Sequence, residues 1–166
     1  MKHTLLAVAI APTLVLAASA PPDASFYKSL AEGGMAEVQL GQLAETKAAD
    51  AGVKDFAAMM VKDHTAANEH LKALASSKNV DLPGGPGVAA RAKKTELEVL
   101  SGHAFDSSYV AGQIKAHRET VALLRKEIAS GEDADAKAFA QKVLPTVEGH
   151  LKAVDKIADG LGIARQ

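Results

Sequence analysis

The chain has no cysteine and no tryptophan. Without cysteine there are no disulfides, no thiolate ligands for a metal and no lipid attached through an N-terminal cysteine. Four phenylalanines and two tyrosines are all its aromatics, which argues against stacking platforms for bases or sugars. Neither sign of charge is in excess: 19 Lys and Arg face 20 Asp and Glu, for a net charge of −1. That balance offers no electrostatic footprint for nucleic acid. No stretch alternates with period two, so extended sheet is not expected. No serine stands in a nucleophile-elbow context. Gly84-Gly85-Pro86-Gly87 lacks the preceding strand and the Lys-Ser/Thr ending of a phosphate loop, and reads as a turn.

What is present begins with an export signal. Residues 1–20 carry Lys2 and His3, an apolar run from Leu5 to Ala17, then the small residues Ala18-Ser19-Ala20. The run is too short to span a bilayer and no stop-transfer pattern follows. Cleavage after Ala20 puts Pro21 next to the cut, so cleavage after Ala17 stays open. Residues 21–166 suit one domain. The expected location is outside the cytoplasm, in the periplasm or associated with the outer membrane, with no transmembrane segment left after signal removal.

The remainder reads as helix. Alanine is abundant and apolar residues recur at helical spacing. The pattern predicts long helices at roughly 24–48, 53–78, 103–130 and 134–161. Asp23 and Ser25 are both capable N-caps for the first. Asn79 to Gly87 has the composition of a loop, and a short helix over about 89–100 follows it. The link between the second and third long helices could be a local excursion or could cross the whole bundle. About twelve helical residues (~18 Å) plus an extended loop are long enough for either. Pro145 should bend the last helix.

The apolar stripes break near the middle of each long helix. Glu37, Asp63 or His64, His117 and His150 sit where core residues are expected. Such groups are costly to bury unless they pair with each other or with a metal. Glu37, His64 and His117 lie within ~1.5 Å of their helix midpoints along the axis, and His150 within ~4 Å. Midpoints meet whichever way a helix runs. Asp63 and His64 flank the inner line of their helix, so both can reach inward. Neutral imidazole and carboxylate suit zinc, iron, manganese or copper, and facing helices are the usual source of such ligands in a bundle. Asp63 could orient one imidazole, or serve as an alternative ligand. The rival reading is a Glu–His hydrogen-bond network that only fixes helix register.

Other candidates are weaker. His103 and Asp106 lie about three turns from His117, and Asp106 reads as an acid favoured by the start of its helix. His70 reads as solvent-facing and Met60 as core filler. Tyr27 and Tyr109 read as packing residues that could also hydrogen-bond to the polar network. Gly33, Gly34 and Gly41 around Glu37 imply close helix approach or room for something.

Several segments occur in a characteristic order: Ala36 to Ala44; Phe56-Ala57 leading to Met60-Val61-Lys62-Asp63-His64; Ser101-Gly102 with Phe105-Asp106 and Tyr109; His117; Leu144-Pro145-Thr146; and His150-Leu151. In this order they resemble the bacterial family known as domain of unknown function 4142. Its members look like exported, ferritin-like four-helix proteins, often labelled outer-membrane or membrane proteins. The resemblance implies an all-α, ferritin-like four-helix bundle, with a long connection carrying a short extra helix between the second and third long helices. It implies no settled activity. Ferritin-like di-iron sites use Glu-x-x-His on two helices, and here Val61 and Val147 stand three residues before His64 and His150. A single-ion site held by Glu37, His64, His117 and His150 is therefore the expected centre, rather than oxidase or ferroxidase chemistry. The alternative is a non-catalytic envelope, stress or interaction protein with a purely structural Glu/His network. Its partner would be an envelope protein or a second copy.

Overall fold

The computed structural model describes residues 21–163; the segment read as an export signal, with both cleavage positions, lies outside them. The described residues form five helices and no strand: α1 Ala24–Lys47, α2 Ala51–Ser77, α3 Val88–Val99, α4 Gly102–Ser130 and α5 Ala134–Leu161. None is long and apolar enough to cross a membrane.

The caps follow the sequence in part. The Asp50 carboxylate accepts from Val53 N at 3.1 Å and starts α2. The Asp133 carboxylate does the same for Asp135 N at the start of α5. Asp23 precedes α1 but makes no side-chain cap there. It sits at φ 56°, and its carboxylate instead accepts from Glu132 N and Asp133 N across the fold. Pro145 lies inside α5, which continues as one helix through that position.

Contacts between helix ends fix the helix directions. Asp23 and Tyr27 at the start of α1 bond to the α4–α5 turn and Asp133, and Lys78 at the end of α2 reaches the same Asp133. At the far end, Asp106 near the start of α4 accepts from Ala49 N and Asp50 N in the α1–α2 turn, at 3.0 and 2.9 Å. The chain therefore leaves α2 at one end of the molecule and enters α4 at the other. The connection crosses the full length. Its helix α3 lies over α1 and α4, where Leu97 is buried and Lys93 bonds Ser108. Asp106 thus acts across the fold and not on its own helix start, which local sequence could not reveal.

The core comes in two apolar halves. One gathers Ala44, Phe56, Met60, Phe105, Val110 and Val154. The other gathers Phe26, Leu71, Val80, Leu124, Phe139 and Val147. On every long helix the two sets are separated by the same kind of residue: Glu37 on α1, Asp63 and His64 on α2, His117 on α4, and His150 on α5. A polar layer divides the core at mid-height. α1 and α2 pack closely beside it. A Cβ on Gly41 would come within 3.0 Å of the Ala57 carbonyl oxygen and 2.8 Å of Val61 Cγ2, so only glycine permits this approach.

Candidate metal centre

Three imidazoles from three helices converge in that layer. His64, His117 and His150 each offer a ring nitrogen, and the three nitrogens lie within 4.8 Å of one another. The ring centroids are 5.5 to 5.9 Å apart. His117 and His150 are only 1 % and 4 % exposed, while His64 is half-buried.

The neighbours set which nitrogen is bare. His117 Nδ1 lies 2.9 Å from the Gln113 carbonyl oxygen one turn back. A carbonyl only accepts, so Nδ1 carries the proton and Nε2 presents its lone pair. His150 Nε2 lies 3.1 Å from Asp63 Oδ2, so the proton sits there and Nδ1 is bare. His117 Nε2, His150 Nδ1 and His64 Nε2 are all buried without a hydrogen-bond partner. Burial lowers the His64 pKa to about 3 and that of His117 to about 4, with neighbouring imidazoles adding to the effect. Both rings are neutral at pH 7, the form that binds metals.

Each such orphaned atom costs about 1–3 kcal/mol. A satisfied register-fixing network would leave none. A cation removes all three penalties together. Ligand nitrogens around one tetrahedral ion stand about 3.4 Å apart. On binding, the three rings would have to close from within 4.8 Å to that spacing. Asp63 and His64 both face inward, as their positions on either side of the inner line of α2 suggested. Asp63 acts on His150 and is not one of the grouped nitrogen donors.

Glu37 is the sequence candidate that the structure sets apart. It is 6 % exposed and level with the rings, yet it is not grouped with them. Burial lifts its pKa to about 7, opposed by a hydrogen bond from the Gln113 side chain. Its Oε2 has no partner. Tyr109 OH and Gln113 Oε1 are likewise buried and unpartnered, and the Glu37 charge helps burial to raise the Tyr109 pKa. Gln113 is the residue sequence reasoning missed. Its carbonyl orients His117 and its amide holds Glu37. The available signal was its place one turn before His117.

The remaining candidates lie elsewhere. His103 is exposed and near Ser107. His70 is exposed with its ring 5.5 Å from Phe139. Met60 is fully buried in apolar core. Tyr27 donates to Asp133 at 2.8 Å, far from the histidines.

No curated protein matches the chain in sequence. Among solved structures, the chain is similar to a presumed secreted protein of DUF305 from Streptomyces coelicolor. Identity is 14 %, TM-score 0.76, and 88 % of this chain and 96 % of that one are covered. It is also similar to CopM in a Cu(I)-bound form, at 13 % identity and TM-score 0.70 over 84 % of this chain and 96 % of that one. A DUF305 fragment from Deinococcus radiodurans matches at 14 % identity and TM-score 0.71, over 86 % and 99 % of the two chains. These likenesses establish a shared helical fold. In sequence, residues 11–157 match the model of DUF4142, a domain of unknown function, and the chain belongs to that family.

Proposed function

We propose that this protein binds one copper ion through His64, His117 and His150, with Asp63 holding His150 in its binding tautomer. The observation that carries the reading is the convergence of three imidazoles that each offer a ring nitrogen within 4.8 Å of the others and each keep a buried nitrogen without a partner. Three imidazoles suit copper or zinc, and the absence of any carboxylate in the group disfavours manganese. Copper is also the higher of the two in intrinsic affinity for such donors. The likeness to CopM, solved in Cu(I)-, Cu(II)- and Ag-bound forms, supports the same choice. The one negative charge that Asp63 brings to His150 offsets part of the ion's charge in a dry core.

The rest of the reading is consistent with this. The up-down-down-up course of α1, α2, α4 and α5, with its long crossover, supports the ferritin-like reading of the bundle. The N-terminal signal pattern and the likeness to a presumed secreted protein support export, with residues 21–166 as the mature domain. A binding or buffering role in the envelope fits better than catalysis, because three imidazoles and one orienting carboxylate offer no paired acid and base.

The test is metal analysis of protein purified without an affinity tag, followed by titration. One copper per chain is expected, lost in His117→Ala. Zinc held as tightly as copper moves the assignment to zinc. No micromolar affinity for either ends it and leaves a structural polar layer in an envelope protein.

A further inference from the structure

His117 and His150 are enclosed, so an ion needs a way in to them. Two spaces share part of their walls near His64. A small one of about 60 Å³ lies inside the helices and is lined by His64, Glu37, Asn68 and Phe139 among others. A much larger open groove of about 810 Å³ lies between α1, α3 and α4, with Tyr109 and Gln113 in its wall. The two spaces share five lining residues: Ser29, Gly33 and Glu37 on one face of α1, and Thr120 and Leu123 on α4. These five residues form a seam between the two spaces, and α1 contributes only small residues to it besides Glu37. A Cβ on Gly33 would have nothing within 4 Å, so the seam is open there.

Glu37 is the one acid in the seam, and it faces both sides. Its Oε2, Gln113 Oε1 and Tyr109 OH are all buried oxygens with no hydrogen-bond partner, and the three residues that carry them line the groove. Carboxylate, amide and phenol oxygens are what a partly hydrated cation needs while it exchanges water for protein ligands. This also explains why an acid lies level with the rings without joining their group.

We propose that Glu37, with Gln113 and Tyr109, forms a transient oxygen-donor site for the incoming metal cation, which passes from the α1–α3–α4 groove through the Gly33–Glu37 seam to the three histidines. This rests on the metal-binding reading above. Glu37 is here a loading residue and not a ligand of the final site.

The test is stopped-flow binding of aqueous Cu(II), read by quenching of tyrosine emission in a chain without tryptophan. The signal of interest is the part lost in His117→Ala. Glu37→Gln should slow association at least tenfold while the endpoint stays at one ion per chain. Gly33→Leu, which fills the seam and removes no polar group, should slow it as well. Circular dichroism and melting establish that both variants are folded. Association of either folded variant within twofold of wild type overturns the proposed route while leaving the copper reading intact. Loss of stoichiometry in Glu37→Gln also overturns it, because Glu37 would then be a ligand. A wild-type chain that binds no copper overturns both.

Discussion

The polar groups at the ends of the molecule and those at its middle are buried to similar depth but treated differently. At one end Asp106, 2 % exposed, accepts from two backbone N–H groups. At the other, Asp133 accepts from Tyr27, Lys78 and Asp135 N. These acids close turns and have their partners. In the middle, Glu37, Tyr109, Gln113 and all three histidines each keep a buried atom with none. Glu127, near the Asp133 end, resembles the middle: burial and its neighbour Asp23 push its carboxyl pKa up to about 7. The difference teaches where the fold supplies partners and where it withholds them. Glu127 aside, the acids that close turns at the ends are satisfied within the fold, and the groups at mid-height are left incomplete at a cost in stability, which is what the metal-binding proposal calls for.

The largest effect should come from completing the middle. At copper a hundredfold above its Kd, folding gains about 2.7 kcal/mol, or roughly 10 °C in melting temperature. The shift should vanish with chelator and in His117→Ala. Thermal melts with and without copper check this, and an unchanged melt erases the contrast between middle and ends.

Acid should also separate the two regions in the metal-free protein. His64 and His117 have lowered pKa values, so their stabilisation is complete above about 6.5 and is lost as pH falls toward 4 and 3. Glu37 acts oppositely. Its raised pKa contributes fully below the usual carboxylate range and is lost as pH rises through about 7. Glu127, raised likewise to about 7, acts in the same sense as Glu37, so from pH 6.5 to 4.5 two acids offset two imidazoles and the wild type should change little. Glu37→Gln removes one of those acids, so its stability should fall over this range by up to about 1.4 kcal/mol per unit. A flat melting temperature in Glu37→Gln contradicts the buried neutral rings.

At the ends, Asp106→Ala should cost about 2 kcal/mol, by leaving two backbone N–H groups without their acceptor. Denaturant unfolding should give the same loss with and without chelator. Asp63→Ala should weaken copper at least tenfold, about 1.4 kcal/mol, because His150 loses the carboxylate that sets its tautomer. The smallest effect is the sharpest. His117→Leu removes a buried unpartnered nitrogen, so the metal-free variant should lie within about 1 kcal/mol of wild type or above it. A loss of 3 kcal/mol or more would make the layer structural.

The middle was legible in the sequence because helical periodicity makes a misplaced polar residue conspicuous. His117 and His150 each interrupt an otherwise apolar stripe. Midpoints stay level whatever the topology, so their meeting did not depend on knowing helix directions. What was illegible was set by tertiary contact. Nothing local shows that Asp23 leaves its own helix to bind the α4–α5 turn, or that Asp106 closes the α1–α2 turn. The direction of the crossover depends on those same contacts. Glu37 reads as equivalent to the histidines on a helical wheel. Its absence from the histidine group and its place in the walls of both cavities set it apart. Gln113 escaped notice because glutamine beside an apolar stripe looks like surface.

The claim on which the rest depends is that three rings share one ion, and X-ray absorption at the copper edge of the one-to-one complex addresses it most directly. Three imidazole nitrogens at about 2.0 Å are expected, falling to two in His64→Ala. A shell dominated by oxygen, or one unchanged when His64, His117 and His150 are all replaced, would contradict it.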